Sequence, residues 1–197
     1  MLIQTISPWF AKALIAAAAL ALVAVPASLH RGAGAKVARS RKGPAETLLL
    51  AFVSLNFPCT LVWLATPLLR FAEYPPRPAA LIAGTALLLL GLWLLYRSHA
   101  DLGPNWSVTL ELREGHRLIT RGVYRRVRHP MYLALLTFGL GQALALPNWV
   151  AGPAYLVGIL CLVSFRIGPE ERMMTEAFGA DYEGYRARTK RLVPGLW

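Results

Sequence analysis

The chain has 197 residues, of which 56% are hydrophobic and only 16% are charged. An ordinary soluble domain has an apolar share of about 45 to 50%, so this composition excludes such a domain and indicates an integral membrane protein. The net charge of +11 does not indicate nucleic-acid binding, because the basic residues fall in loops between apolar runs rather than among exposed aromatic side chains.

Five apolar runs predict five transmembrane helices, at about residues 11–29, 47–69, 79–96, 131–146 and 149–166. The first three runs have the roughly 17 to 25 residues that a bilayer crossing needs. The last two are short, and we expect them to form a tight helical hairpin around Pro147-Asn148. They either cross a thin region between neighbouring helices or stop short of the far surface, and we favour crossing. The predicted fold class is therefore an all-α integral membrane protein.

Arginine and lysine counts predict the orientation of these helices. Basic residues are dense after the first, third and fifth runs and sparse after the second. The positive-inside rule therefore places the N-terminus outside and the C-terminus in the cytoplasm. In an alternative interpretation the first run is a signal peptide, because Val25-Pro26-Ala27 resembles a cleavage site, although the positive N-terminal region of such peptides is missing.

This pattern predicts that the chain is divided into two regions. Residues 1–96 form three N-terminal transmembrane helices with a cytoplasmic linker at 30–46, and residues 97–197 contain a polar segment, the hairpin and a tail. Cys59 and Cys161 both lie inside apolar runs, so no disulfide framework is indicated. The histidines are scattered, and we predict no metal site.

Two polar clusters stand at matching ends of the hairpin. Arg128-His129-Pro130-Met131-Tyr132 opens the fourth run, and Glu170-Glu171 follows the fifth. Pro130 suits the first position of a helix, whose free N–H groups favour an anionic ligand group. Two antiparallel helices of equal rise would bring both clusters to one membrane face. Each cluster taken alone also has a structural explanation. A lone histidine at a helix start is usually a capping or packing residue, and an acidic pair beside arginines is often a structural ion pair.

The tail predicts amphipathic helices at the cytoplasmic surface. Met173, Met174 and Phe178 give an apolar face, Gly179 interrupts it, and a further helix carries Tyr182 and Tyr185. We expect this tail to cover the cytoplasmic opening between the helices.

The ordered motifs in residues 97–197 resemble a known family. They are Leu102-Gly103-x-Asn105-Trp106-Ser107, Tyr124-Arg125-x-Val127-Arg128-His129-Pro130-x-Tyr132, Glu170-Glu171, Phe178-Gly179-x-x-Tyr182-x-x-Tyr185 and Arg191-Leu-Val-Pro194. This set is similar to the isoprenylcysteine carboxyl methyltransferase and phospholipid methyltransferase family of integral membrane enzymes. The chain departs from the family at Val123 and Arg126, where Pro and Tyr are common.

The resemblance implies an S-adenosylmethionine-dependent methyltransferase with a cytoplasmic active site. It implies a cofactor site made of Arg128, His129, Pro130, Tyr132, Glu170, Glu171, Tyr182 and Tyr185. An acceptor carboxylate would need an orienting cation, for which Arg125 and Arg166 are the candidates, whereas an amine acceptor would need a base such as His129. The implied acceptor is lipidic or prenylated, with an isoprenylcysteine-type carboxylate preferred to a phospholipid amine.

Two other functions remain open from the sequence. Some NADPH-dependent membrane sterol or steroid reductases also contain an Arg-His-Pro-x-Tyr element, and a non-enzymatic small membrane protein would need none of these roles. The sequence predicts contact with membrane lipids and no nucleic-acid partner, and it leaves the oligomeric state open.

Overall fold

The computed structural model describes residues 8–29, 37–40, 44–103, 111–113 and 117–195. Its helices and strands are α1 (Pro8–Leu29), β1 (Val37–Ser40), α2 (Pro44–Ala65), α3 (Pro78–Leu102), β2 (Glu111–Arg113), α4 (Pro130–Ala145), α5 (Ala151–Phe178) and α6 (Ala180–Arg188). Short 3-10 helices lie at Arg70–Ala72 and Gly122–Arg125. Proline occupies the first turn of α3 and α4, where its missing N–H would have no helical partner.

Three helices in the described part of the chain are long and apolar enough to cross a membrane: Trp9–Leu29, Pro78–Leu102 and Ala151–Phe178. The predicted second span corresponds to α2, a helix of 22 residues. The predicted fourth span corresponds to α4, whose 16 residues rise about 24 Å. An integral membrane fold is thus supported, and the number of five crossings stays a prediction.

Glycines bring α3 and α4 into backbone contact. A Cβ atom at Gly91 would lie 2.7 Å from the backbone nitrogen of Phe138, and one at Gly141 would lie 2.7 Å from that of Leu88. A Cβ atom at Gly84 would lie 2.7 Å from the Gly141 carbonyl oxygen and from the Ala145 backbone nitrogen. Small residues of this kind allow close helix packing where no water is present to drive helices together.

A buried polar network fixes the connection between α4 and α5. Asn148 Oδ1 accepts hydrogen bonds from the backbone N–H groups of Val150 and Ala151 at 3.0 and 2.9 Å, so it caps the start of α5. The Nδ2 group of Asn148 donates to the Leu69 carbonyl at 2.7 Å. One helical turn before the connection, Gln142 donates to Thr60 Oγ1 at 3.1 Å and so joins α4 to α2.

The core lies between the helices, and many large apolar side chains face outward. Ile15, Leu88 and Phe138 are each at most 2% exposed, whereas Leu89 and Trp93 on the outer face of α3 are 62% and 55% exposed. Outward apolar side chains are costly in water but suit a lipid environment. This distribution agrees with the composition of the chain.

A short ladder adds two strands to the otherwise helical fold. β1 and β2 pair antiparallel, with Val37 opposite Arg113 and Ser40 opposite Glu111. The ladder connects the predicted linker 30–46 to the polar segment between α3 and α4, a non-local pairing that no periodicity in the sequence indicated. The Asn105-Trp106-Ser107 motif lies outside the described residues.

Helix α5 continues well beyond the apolar run that predicted it. The run ends near residue 166, but the helix extends through Pro169 to Phe178. Ile167 and Met173 remain buried on its inner face. The carboxylate pair therefore stands on a continuous helix that begins at the opposite end of the hairpin.

Candidate functional site

Helices α4 and α5 bring the two predicted polar clusters together. The Tyr132 hydroxyl, in the first turn of α4, donates to Glu170 Oε2 at 2.6 Å. Since Glu170 lies near the end of α5, the two helices run antiparallel, and their polar ends meet at one end of the bundle. We call this the site end and the end that contains residues 146–150 the turn end.

Glu171 is the centre of a buried ion cluster. Its Oε1 atom lies 2.8 Å from Arg128 Nη2, and its Oε2 atom lies 2.9 Å from Arg191 Nη2. His129 Nε2 lies 3.3 Å from Oε1 and must be the donor, because an ionised carboxylate can only accept. The Glu171 and Arg128 side chains are only 7% and 8% exposed, so these charges compensate each other away from water.

Glu170 has a different environment from its neighbour. Its side chain is 32% exposed, and its only near cationic candidate among the described ion pairs is His129 Nδ1, at 3.9 Å. The rings of His129 and Tyr132 lie 5.6 Å apart in a stacked arrangement beside it. Glu170 is therefore the more exposed member of the pair, and Glu171 is the member that holds protein groups.

The segment after α6 closes one wall of the site by pairing with the segment before α4. Val127 and Lys190 form a parallel bridge, and the backbone N–H groups of Arg128 and His129 donate to the carbonyls of Lys190 and Arg191 at 2.8 and 3.0 Å. The Arg128 guanidinium also donates to the carbonyl groups of Arg186 and Thr189. The sequence motifs did not indicate that Arg191 would pair with Glu171. This contact depends on the bridge between Val127 and Lys190, which are distant in the chain.

Buried tyrosines connect α6 to the remainder of the site end. Tyr185 donates to the Tyr124 carbonyl at 2.6 Å, and Tyr124 donates to the Ser98 carbonyl at 3.4 Å. Tyr182 packs edge-on against Tyr185 and is 2% exposed. Tyr182 and Tyr185 were predicted to bind the cofactor, and this stays a prediction; in the structure both side chains are buried, and the Tyr185 hydroxyl has a protein partner. Pro130 is likewise fully buried and acts as the start of α4.

Burial raises the pKa of Tyr124, Tyr182 and Tyr185 above the ordinary tyrosine value. An acid whose pKa is raised by folding contributes stability below its unfolded pKa, and that contribution is lost as pH rises above about 10. We therefore expect these three phenols to stay protonated at pH 11 while the protein is folded. Absorbance at 295 nm should show their ionisation only together with loss of folded protein. Ionisation of all tyrosines before unfolding would contradict this expectation.

The two arginines predicted to orient an acceptor lie in contrasting places. Arg125 ends the 3-10 helix Gly122–Arg125 and is exposed. Arg166 is 8% exposed and lies on α5 one helical turn before Glu170, towards the turn end. Of the two, only Arg166 is buried on the helix that carries the carboxylate pair.

A cleft of about 430 Å³ opens beside Glu171. Its other lining residues are Gly168, Arg172, Thr175, Glu176, Glu183, Arg186 and Arg191. Of the predicted site residues only Glu171 lines this cleft, and of the rim arginines and glutamates only Arg191 belongs to a motif named from the sequence. Arg172 and Glu176 are four residues apart on α5, and Glu183 and Arg186 are three residues apart on α6, so each pair lies on one helix face; this spacing is the signal that could have found them.

A family model decides what this arrangement resembles. The model of the isoprenylcysteine carboxyl methyltransferase (ICMT) family matches residues 84–176, which include α4 and the carboxylate pair. The resemblance inferred from the sequence is confirmed. The ICMT-like core, residues 84–176, thus carries the His-Pro-x-Tyr and Glu-Glu clusters, whereas Tyr182, Tyr185 and Arg191 lie beyond it.

Individual relatives share this part of the chain. The protein-S-isoprenylcysteine O-methyltransferase of Schizosaccharomyces pombe is 31% identical over 109 residues, which are 54% of this chain and 46% of that protein. Protein-S-isoprenylcysteine O-methyltransferase B of Arabidopsis thaliana is 30% identical over 113 residues, which are 56% of this chain and 57% of that protein. The chain therefore spans about half the length of the curated relatives that it matches.

A solved structure of the eukaryotic intramembrane Ras methyltransferase ICMT shares the fold. The two chains align with a TM-score of 0.54 and 24% identity, over 79% of this chain and 54% of the other. The matched family and these relatives are methyltransferases, which favours the methyltransferase interpretation over an NADPH-dependent reductase.

Proposed function

We propose that the protein is an S-adenosylmethionine-dependent methyltransferase that acts on a lipidic acceptor at the membrane surface. The observation that carries this proposal is the placement of Arg166 on α5: a buried guanidinium lies one helical turn from a partly open carboxylate, Glu170. A water-soluble cationic ligand and a membrane-embedded anionic one could thus meet at neighbouring positions of one helix. The ICMT family match of residues 84–176 supports the same chemistry.

The donor set at the site end fits S-adenosylmethionine. This cofactor carries an ammonium and a sulfonium, for which the Glu170 carboxylate and the Tyr132 and His129 rings are suitable partners. Its carboxylate would suit a guanidinium of the cleft, Arg172 or Arg186, or the free N–H groups at the start of α4. A cleft of about 430 Å³ falls within the range of small-ligand sites.

Glu171 has a supporting role in this proposal. Its carboxylate already receives two guanidinium groups and the His129 ring, so it orients His129 and fixes Arg191 and the tail rather than the ligand. Glu170 takes the cationic end of the cofactor, and the Tyr132 hydroxyl orients that carboxylate. The pair thus divides between ligand binding and support of the site.

S-adenosylmethionine, when bound, supplies an electrophilic methyl group for an in-line displacement. The protein positions the acceptor and excludes water, and no covalent intermediate with the protein is needed. Arg166 would orient an acceptor carboxylate, which requires no base. For an amine acceptor, His129 Nδ1 would take the proton, because its Nε2 atom is engaged with Glu171.

An isoprenylcysteine-type carboxylate is the acceptor that this arrangement suits best. Arg166 lies where α5 is still apolar and buried, so an acceptor with a long hydrocarbon chain could place its carboxylate there while the chain stays in lipid. We also propose that the N-terminus is outside, with the C-terminus and the site end in the cytoplasm. The basic loops at the site end support this orientation.

Calorimetric titration of S-adenosylhomocysteine into detergent-purified protein tests the cofactor site. We expect saturable binding by the native chain and by Asp181→Asn, which removes an exposed charge from the first turn of α6. Glu170→Gln should lose most of this affinity while its melting temperature stays close to native. A folded native chain that binds NADPH but not S-adenosylhomocysteine would restore the reductase hypothesis, and binding of neither would favour a non-enzymatic protein.

Replacement of Arg166 tests the acceptor site. We expect Arg166→Ala to raise the KM for N-acetyl-S-farnesylcysteine by about 10- to 100-fold, the range for loss of a hydrogen bond to a charged group. Affinity for S-adenosylhomocysteine should not change. The assay follows transfer of a labelled methyl group into a base-labile methyl ester.

The controls separate the candidate arginines. Arg188→Ala removes an exposed arginine that donates only to the Gly184 carbonyl among the hydrogen bonds of the described residues, and its KM should be native. Arg125→Ala tests the other arginine that was predicted to orient the acceptor carboxylate. A larger increase in KM for Arg125→Ala than for Arg166→Ala would assign the acceptor carboxylate to the exposed 3-10 helix, and a base-stable methylated product would indicate an amine acceptor.

A further inference from the structure

A surface at the turn end has no part in the proposed chemistry. It consists of residues 66–77, which connect α2 to α3, and residues 146–150, which connect α4 to α5, and we call it the turn-end shoulder. Three large apolar side chains project from it: Leu68 is 69% exposed, Phe71 81% and Trp149 72%. Exposed apolar side chains concentrated in two connecting segments require an apolar neighbour or a lipid surface.

The two segments of the turn-end shoulder are joined to each other by hydrogen bonds of their backbone groups. Trp149 N–H donates to the Ala72 carbonyl at 3.0 Å, and Tyr74 N–H donates to the Pro147 carbonyl at 3.2 Å. The Leu69 carbonyl accepts from Asn148, and the Tyr74 hydroxyl donates to the Leu146 carbonyl at 3.3 Å. A loop that is solvated by water has no need of these partners.

Side-chain contacts make the same surface rigid. The rings of Tyr74 and Trp149 lie 4.7 Å apart, so one connecting segment packs on the other. Buried Trp63 donates its ring N–H to Glu73 Oε1 at 3.1 Å, and the Lys12 ammonium lies 5.3 Å from the centre of the Trp63 ring. The Trp149 side chain and the segment that carries Leu68 and Phe71 are thus held by contacts within the protein.

The polar groups of the turn-end shoulder indicate how deep this surface lies in the bilayer. Irregular backbone exposed to lipid does not occur within the hydrocarbon core, because any unpaired N–H or C=O group there is costly. The exposed Arg70 and Arg77 side chains also need water or phosphate. Tyrosine and tryptophan rings together with arginine are the side chains that favour the headgroup layer.

We propose that the turn-end shoulder is a rigid interfacial anchor, whose partner is the phospholipid headgroup layer of the leaflet at the turn end. Leu68, Phe71 and Trp149 insert at the boundary between headgroups and acyl chains, while Arg70 and Arg77 contact phosphate. The internal hydrogen bonds permit this insertion because few backbone groups of the surface depend on water. The inference does not depend on the proposed methyl transfer.

Spin labels on single cysteines test the anchor in bilayers of zwitterionic and anionic phospholipids. The labels replace Phe71, Trp149 and, as an independent third position, Leu68, in a chain in which Cys59 and Cys161 are alanine. Power saturation measures the collision rates of each label with oxygen and with a water-soluble nickel chelate. Arg188→Cys on exposed α6 is the aqueous reference, and Leu89→Cys on the outer face of α3 is the hydrocarbon reference.

We expect all three shoulder labels to collide with the nickel chelate at least fivefold less often than the Arg188 label, and with oxygen less often than the Leu89 label. Collision rates with the chelate equal to those at Arg188 would show that the surface lies in water and would overturn the proposal. Dipolar broadening between labels on different molecules would also overturn it, because the partner would then be a second copy of the chain.

Discussion

Glu171→Gln protein is expected to lose S-adenosylhomocysteine binding and methyl transfer together, and to melt at a lower temperature than the native protein. Glutamine has nearly the same shape, but it leaves Arg128 as an uncompensated buried cation and removes the charge that holds Arg191. Loss of one partner of a buried ion pair typically costs about 3 to 5 kcal/mol. The His129 ring also loses the acceptor that fixes its orientation.

Glu170→Gln is the matched control for Glu171→Gln. Both substitutions remove one negative charge from adjacent positions of α5, but only Glu171 is engaged by the two arginines. We expect Glu170→Gln to weaken ligand binding with little effect on melting, and Glu171→Gln to affect both. Melting in detergent, followed by size-exclusion chromatography, measures stability without ligand. Equal melting temperatures for the two variants would contradict the assigned division of the pair.

Gly91→Ala and Gly141→Ala are expected to produce the second large effect, a loss of folded protein without any change to the site residues. Each added methyl group would meet backbone nitrogen at 2.7 Å, and backbone cannot move away as a flexible side chain can. Overpacking of this kind costs about 1 to 3 kcal/mol even where side chains adjust. Helices α3 and α4 would have to separate, and the start of α4 would move with them.

Gly184→Ala is the matched control for these substitutions. A Cβ atom at Gly184 meets nothing within 4 Å, and alanine is favoured over glycine within a helix by about 1 kcal/mol. We therefore expect native or slightly higher stability for this variant, measured as the fraction of monodisperse protein that survives heating in detergent. Native stability of Gly91→Ala and Gly141→Ala would show that α3 and α4 do not need this close contact.

Local patterns in the sequence predicted those parts of the fold that depend on local chemistry. Pro130 begins α4 as expected, because proline at the first helical position is set by the backbone alone. The equal lengths of the two apolar runs predicted that Tyr132 and Glu170 would lie at the same end, and their side chains are in contact. The apolar run did not predict where α5 ends. The helix extends beyond the run to Phe178, and its inner face stays buried there at Ile167 and Met173.

The remaining parts of the site depend on contacts between distant segments. Arg191 begins a motif, but nothing in that motif indicates Glu171 as its partner, and only the bridge between Val127 and Lys190 brings the two together. The family resemblance implies that Tyr185 binds the cofactor, which stays a prediction, but it did not indicate the hydrogen bond from the Tyr185 hydroxyl to the Tyr124 carbonyl. A motif indicates which side chains matter, whereas packing decides which of them remain accessible.

The bridge between residues 127–129 and 190–191 also affects how the protein is made. Every helix from α1 to α6 precedes Arg191 in the order of synthesis, so the second guanidinium is added to the chain after all the residues of these helices. Until then, the carboxylate and the His129 ring lack one wall of their enclosure. Completion of the site therefore depends on the segment that is translated after helices α1 to α6.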